Sequence, residues 1–146
     1  MPDVPSTPLS GTVVHGAGRG RGLGLPTANL APDPGASVPA PAVYSGWLSR
    51  PAAGAVHRAT ISIGTNPTFC DTAEVHTEVH CHDTSDDLYG EHVDLWFVAR
   101  IRDTVRFAGP DELIRAALED IRRSEAVLDT PHARAVRAAA LSAALR

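Results

Sequence analysis

The most distinctive chemistry of this sequence lies between residues 16 and 24. Every second residue there is glycine, and Arg19 and Arg21 stand between glycines. Glycine lets backbone N–H groups approach a ligand closely, and guanidinium groups supply forked donors that match phosphate oxygens. The composition favours phosphate binding, although glycine and arginine alone are equally typical of a surface turn. The predicted binding residues are Gly16, Gly18, Arg19, Gly20, Arg21 and Gly22.

Two polar side chains, Thr27 and Asn29, follow this stretch after Pro26. Proline fixes its own φ and favours extended geometry at Leu25, so the segment is stiff, and alternate side chains of an extended segment share a face. Hydroxyl and carboxamide oxygens are hard ligands for Mg²⁺, which usually shares its coordination with substrate phosphates. We therefore predict that Thr27 and Asn29 bind magnesium.

A cluster rich in histidine and glutamate lies between residues 74 and 82. Alternate residues on a strand could approach one zinc ion. They stand about 7 Å apart, however, which is too far for one tetrahedral site unless the strand is bent. Most of the cluster is therefore interpreted as a polar strand face with solvated histidines; its members are Glu74, His76, Glu78, His80, Cys81 and His82.

Composition excludes several classes of protein. The 146 residues contain no lysine, so a Walker A lysine, a Schiff base and a lysine general base are all excluded. A net charge of −4 argues against nucleic-acid binding. No apolar run reaches the roughly 18 residues of a membrane span, and the N-terminus does not resemble a secretory signal, so we expect a cytoplasmic protein. We also expect a monomer. Cys70 and Cys81 are expected to be free thiols.

Hydrophobic periodicity predicts about five strands followed by helices. The strands are expected at residues 12–14, 42–48, 55–63, 74–82 and 92–101, and a proline-rich connector without regular structure at 31–41. Pro110 and the acidic residues after it predict the start of one helix, and Pro131 that of a second helix ending near Leu145. The predicted inward-facing residues are Ala59, Ile61, Ile63, Val75, Val79, Val93, Leu95, Phe97 and Ala99 on the strands, and Ile114, Ala117, Leu118, Ile121 and Leu128 on the first helix.

This order of elements lacks β-α-β alternation, so it favours an antiparallel β-barrel with C-terminal helices over a Rossmann sheet. Greek-key connections are the expected topology. We expect one domain over residues 1–146, with a loose arm at 1–8, the barrel at 9–108 and helices at 109–146.

The stretch Gly-Arg-Gly-Arg-Gly-Leu-Gly-Leu-Pro-Thr-Ala-Asn, which ends at Asn29, resembles the signature of the riboflavin kinase family, including the kinase half of bifunctional bacterial FAD synthetases. Further landmarks follow in the family's order over roughly residues 9–128. They are Asn66-Pro67-Thr68-Phe69, Glu78-Val79-His80, Asp87-Leu88-Tyr89-Gly90, and Arg100-Ile101-Arg102 with Phe107. The resemblance implies a six-stranded antiparallel barrel with a C-terminal helix.

The resemblance also implies an activity, which is the ATP- and Mg²⁺-dependent phosphorylation of the riboflavin 5′-hydroxyl to give FMN and ADP. It assigns the catalytic base to Glu78. Glu74 begins an identical tripeptide, but it stands four residues too far from Asp87-Leu88-Tyr89-Gly90. The implied partners are riboflavin or FMN and ATP or ADP, without nucleic acid or membrane, and Asn66, Pro67 and Thr68 join the nucleotide-binding set.

Two positions depart from the family pattern: Leu25 stands where phenylalanine is common, and Ala42 where glycine is usual. They leave open a kinase that acts on a modified flavin. A flavin- or nucleotide-binding module without turnover is a second alternative. Because only about ten residues precede the first predicted strand, no N-terminal nucleotidyltransferase domain fits there, and we expect FMN but no FAD as product.

Overall fold

A computed structural model of the chain describes residues 4–15, 27–65, 75–105 and 108–146. Within these ranges the elements follow the predicted order of strands and then helices. The strands are β1 (Leu9–Val14), β2 (Ala28–Pro32), β3 (Ala42–Arg50), β4 (Ala55–Gly64), β5 (His76–Cys81) and β6 (His92–Arg102), and the helices are α1 (Pro110–Leu128) and α2 (Pro131–Ala144).

The strands form a closed barrel in the order β1-β2-β5-β4-β3-β6, and every neighbouring pair is antiparallel. Strands β3, β4 and β5 are successive neighbours, and β6 returns to lie beside β3, which is the Greek-key arrangement. The predicted six-stranded antiparallel Greek-key barrel with C-terminal helices is confirmed.

The barrel core contains the inward-facing residues that alternation predicts for β4 and for most of β6. Ala59, Ile61 and Ile63 are fully buried, whereas Ser62 between them is exposed. Val79 on β5 joins the same cluster, as do Val93, Leu95 and Phe97. The period-2 pattern therefore identified the core face wherever the strands are regular.

Ala99 is an exception, because a β-bulge changes the face on which it lies. Along β3, Ser45 lies opposite Ala99 and the next residue, Gly46, lies opposite Phe97, so Val98 is the extra residue. A bulge ends the simple alternation. Ala99 consequently packs outside the barrel, in the cluster that includes Trp47 and Val98.

Three further expectations were wrong. Val75 precedes β5 rather than belonging to it and is 52% exposed. Leu118 is also 52% exposed, because α1 packs along the row Asp120, Ser124 and Leu128, and Leu118 lies about 200° around the helix from Asp120. The connector begins later than expected, since the first two of its residues are the end of β2.

Helix α1 docks on the outer face of the barrel through buried polar groups. The Ser124 Oγ lies 2.8 Å from the Ser45 Oγ and 3.1 Å from the Ala59 carbonyl oxygen. Arg102 on β6 donates from Nε and Nη2 to the two Asp120 oxygens, both at 2.7 Å. The two buried polar side chains of α1, Ser124 and Asp120, therefore each have a partner on the barrel.

Helix α2 docks beside α1 on the same side of the barrel. Its N-cap Thr130 accepts a hydrogen bond from the Ala133 backbone N–H. The Trp47 Nε1 of β3 donates to the Ala133 carbonyl oxygen at 3.0 Å, and the guanidinium groups of Arg58 and Arg137 lie within 6 Å of the Trp47 ring. Neither helix is long and apolar enough to cross a membrane.

His82 is buried under α1, which contradicts the expectation of solvated histidines at this position. Its Nδ1 contacts the Glu125 carboxylate of α1, its Nε2 lies 2.6 Å from the Thr60 Oγ1, and its side chain is 5% exposed. Burial lowers the pKa of His82 and outweighs the opposing effect of Glu125. The helix, which the strand pattern could not reveal, converts a polar strand face into an interior surface.

We expect Asp120→Ala to lower the free energy of unfolding by roughly 2–4 kcal/mol, because it removes both hydrogen bonds between the Arg102 guanidinium and the Asp120 carboxylate at the helix interface. Chemical denaturation monitored by circular dichroism measures the change. The matched control is Glu119→Ala one residue earlier, where the ion pairs are exposed and the expected change is below about 0.5 kcal/mol. Similar losses in the two variants would contradict the structural role of Asp120.

Candidate active site

A cavity of about 590 Å³ opens at one end of the barrel. This volume is within the usual range for small-molecule sites. Its wall combines the end of β1, the start of β2, the end of β5 and the segment between β5 and β6, through residues 13–15, 27–29, Val79, Cys81 and 84–89.

Strand pairing brings these residues together. Val14 lies opposite Asn29 across β1 and β2, so His15 and Thr27, which follow and precede these strands, lie at the same end of the barrel. Ala28 in turn lies opposite Val79 of β5. Backbone register thus fixes the part of the cavity wall that β1, β2 and β5 form.

The segment 84–89 is attached to the end of β1. The Val13 N–H donates to the Glu91 carbonyl oxygen, and the Gly90 N–H donates to the Val13 carbonyl oxygen, both at 2.9 Å. Gly90 has φ +84°, a left-handed conformation that glycine adopts without strain. The Tyr89 ring stacks on the His15 ring at 3.7 Å between centroids. This part of the wall is therefore held by both backbone and ring contacts.

Thr27 and Asn29, the predicted magnesium ligands, both line the cavity. Glu78 is not in the cavity wall, but it lies directly opposite Asn29 in the pairing of β2 with β5. Directly opposed side chains have Cβ atoms about 5 Å apart, so the structure brings the predicted metal ligand and the predicted base next to each other.

The other predicted binding residues fall outside the described part of the chain. They are Gly16, Gly18, Arg19, Gly20, Arg21, Gly22, Asn66, Pro67 and Thr68, and the same holds for Leu25, Cys70, Glu74 and Phe107.

Glu78 occupies a half-buried position on the outer face of β5, between Asn29 of β2 and Ser62 of β4. Burial raises the pKa of its carboxyl above the ordinary value, and His76 on the same strand opposes the shift. A raised pKa brings a carboxylate closer to the basicity that proton abstraction near neutral pH requires. The environment of Glu78 therefore fits a general base.

The donor set suits a cation that arrives with a phosphate ligand. In the described ranges, no group of three or more His, Cys, Asp or Glu side chains could hold a metal ion. The hydroxyl of Thr27 and the carboxamide of Asn29 would supply neutral oxygens, and Mg²⁺ normally completes its coordination with phosphate oxygens and water. The residues fit magnesium bound together with a nucleotide.

Several cavity residues belong to none of the motifs that indicate binding. Residues 84–86 have a composition typical of a turn, and His15 is distinguished only by its place after a predicted strand. Tyr89 belonged to a recognised motif, but its contact with His15 depends on the β1–β6 connection. Cys81, a free cysteine, also lines the cavity, and burial raises the pKa of its thiol to about 12, so it stays protonated.

A family model described as Riboflavin kinase (Flavokinase) matches residues 5–128. The riboflavin kinase of Mus musculus is 36% identical over 126 residues, which cover 83% of this chain and 80% of that protein. The bifunctional riboflavin kinase/FMN phosphatase of Arabidopsis thaliana is 37% identical over 127 residues, covering 84% of this chain. The match covers only 33% of the Arabidopsis protein's length.

Two solved structures are also similar. The riboflavin kinase of Trypanosoma brucei superposes with a TM-score of 0.60 at 24% identity, over 88% of this chain and 81% of that one, and this likeness supports the fold alone. A Streptococcus pneumoniae structure described as a macrolide-efflux protein has a TM-score of 0.71 at 37% identity, over 81% of this chain and 38% of that one.

We expect Glu78→Gln to raise the free energy of unfolding at about pH 7.5. The pKa of Glu78 is 4.5 in the unfolded chain and higher in the native state. Between these two pKa values the folded state keeps a proton that the unfolded state has lost. The contribution of this group to stability therefore falls as pH rises through that window and stays low above it. Thermal melts from about pH 4 to 8 measure the difference, which should vanish at the acidic end; a variant less stable than the parent at neutral pH would contradict the burial argument.

Proposed function

This chain belongs to the riboflavin kinase family, which phosphorylates riboflavin to FMN, and we propose that the reaction takes place beside the cavity at the end of β1, β2 and β5, with Glu78 as the general base. The observation that carries this proposal is the register pairing of Glu78 with Asn29. It aligns the predicted base with the predicted magnesium site across two adjacent strands.

The cavity is proposed to hold the nucleotide. The glycine-arginine stretch follows His15 and precedes Thr27 in the sequence, and both of these residues line the cavity. Backbone amides and the guanidinium groups of Arg19 and Arg21 would bind the phosphates. The stacked rings of His15 and Tyr89 offer an aromatic surface next to polar groups, which suits a base and a ribose.

Members of the family use ATP and generally need a divalent metal, and we propose magnesium for this chain. Thr27 and Asn29 would hold it together with the phosphates of ATP. When bound, the metal neutralises charge on the phosphate oxygens, which is the main requirement of phosphoryl transfer. We also propose that Asn66, Pro67 and Thr68 bind the nucleotide, because their motif resembles that of the family.

Glu78 would accept the proton of the riboflavin 5′-hydroxyl as its oxygen attacks the γ-phosphorus. The new O–P bond forms while the bond to the β-phosphate oxygen breaks, so the products are FMN, ADP and a proton. Burial disfavours the charged carboxylate, and protonation of Glu78 during the reaction relieves this cost.

The two alternative functions are less well supported. A pure binding module has no need for a carboxylate whose charge is disfavoured by burial, which argues against the non-catalytic alternative. Ala42, one basis for a modified flavin, is fully buried in the barrel core and does not line the cavity. The single-domain organisation, the monomeric state and the cytoplasmic location stay predictions.

Glu78→Gln is expected to lower kcat by about 10²–10⁴-fold, because the amide keeps the shape of the side chain but cannot accept the proton. The assay incubates the protein with riboflavin, ATP and Mg²⁺ and separates the flavins by chromatography. Glu74→Gln, in the repeated tripeptide, is the matched control and should retain most of the activity. Equal losses in the two variants would show that the base is assigned incorrectly.

Thr27→Ala should weaken Mg²⁺–ADP binding by about ten-fold or more, since an interaction with a charged group contributes about 1.5–3 kcal/mol. Thr27→Ser should recover part of the affinity because the hydroxyl returns. Titration calorimetry measures both. Affinity for ADP without magnesium serves as the control and should be similar in all three proteins; an unchanged Mg²⁺–ADP affinity in Thr27→Ala would exclude the proposed coordination.

A further inference from the structure

Arg50, the last residue of β3, joins the barrel to the cavity wall. Its Nε and Nη2 donate to the two Glu91 oxygens at 3.0 and 2.8 Å, and its Nη1 donates to Asp86 Oδ2 at 3.1 Å. The Arg50 side chain is 14% exposed, which is low for a charged group at the end of a barrel. One guanidinium thus contacts two carboxylates that are five positions apart in the sequence.

In the sequence, these two carboxylates flank Tyr89, the aromatic residue of the wall segment. Asp86 lines the cavity, Glu91 follows the wall segment after Gly90, and Tyr89 stands between them in the sequence. A two-pronged arginine–carboxylate contact fixes orientation as well as distance. The segment that carries the Tyr89 ring is therefore held both by the backbone bonds to Val13 and by Arg50 through Asp86 and Glu91.

Few other side-chain contacts of the described residues hold Asp86 in place. The Asp86 N–H donates to the Thr84 Oγ1, which is a contact within the segment itself. Before the segment, Asp83 is held by the His57 Nδ1 at 3.0 Å and by the Arg58 backbone N–H. After Asp86, Leu88 packs in the core. Arg50 is thus the contact that connects the cavity-lining carboxylate to a strand.

We propose that Arg50 is a positioning residue for ATP: through Glu91 and Asp86 it holds the 84–90 wall in the shape that the nucleotide requires. The proposal rests on the proposed function, because it takes ATP as the occupant of this cavity. Arg50 acts through the wall and does not act on the reacting atoms. Its loss should therefore weaken nucleotide binding more than it slows phosphoryl transfer or weakens flavin binding.

The central experiment compares Arg50→Met with the parent protein. The methionine keeps an apolar stem but removes all three hydrogen bonds. We expect KM for ATP to rise by about ten-fold, whereas kcat and KM for riboflavin change by less than about two-fold. Arg50→Lys should recover part of the ATP affinity only, because lysine keeps the charge and loses the fork.

Arg58→Met is the matched control. Arg58 also contacts two carboxylates, Glu125 and Asp129, but these belong to α1 and to the residue after it. This variant should lower the melting temperature and leave KM for ATP unchanged. Equal increases of KM for ATP in the two methionine variants, or a parallel increase of KM for riboflavin in Arg50→Met, would overturn the positioning role.

Glu91→Gln separates positioning from charge. It weakens the anchor while removing a negative charge near the nucleotide. Positioning predicts weaker ATP binding, whereas a role of Arg50 that is purely electrostatic predicts tighter binding, and that result would overturn the proposal.

Calorimetry with Mg²⁺–ATP distinguishes failure of this proposal from failure of the proposed function. Absence of FMN formation by the parent protein would refute the function. Equal dissociation constants for the parent and Arg50→Met would refute the positioning role, whether or not FMN is formed.

Discussion

Closure of the barrel by β1 is the constraint on which the site depends. This strand pairs with β2 on one side and with β6 on the other, so its end has a fixed position relative to both neighbours. The pairing with β2 sets the positions of Thr27 and Asn29. The backbone bonds that link Val13 to Gly90 and Glu91 set the position of the wall at 84–90. Two independent pairings therefore fix the end of β1 to which both parts of the site are attached.

The two helices bury part of the outer surface of the barrel. The first eight residues of β3 are all buried, since one face points into the barrel and the other lies beneath the helices. Polar residues such as Ser45 and His82 are tolerated there because α1 supplies hydrogen-bond partners. The helices are therefore bound to the barrel by hydrogen bonds as well as by apolar packing.

How much could be predicted from the sequence depended on whether the signal was local. Alternation identified Ile61 and Leu95 as core residues because each regular strand reports its own buried face. It was wrong for Ala99, whose face is set by a bulge against β3, and for His82 and Leu118, whose exposure depends on how α1 packs. For the same reason motif chemistry indicated Thr27, Asn29 and Glu78, whereas Arg50 and the His15–Tyr89 stack arise from distant segments meeting at the barrel end.

The choice between the two repeated Glu-Val-His tripeptides shows how register adds to a motif. Glu78 is the sole carboxylate on β5, and its cross-strand neighbours are Asn29 and Ser62. Glu74 lies outside the residues that the structure describes, and β5 begins at His76. Spacing along the sequence is the basis for proposing Glu78, and its pairing with Asn29 across the sheet is an independent observation that supports the proposal. A carboxylate in this row is held by two neighbouring strands, which gives a base the fixed orientation that proton transfer requires.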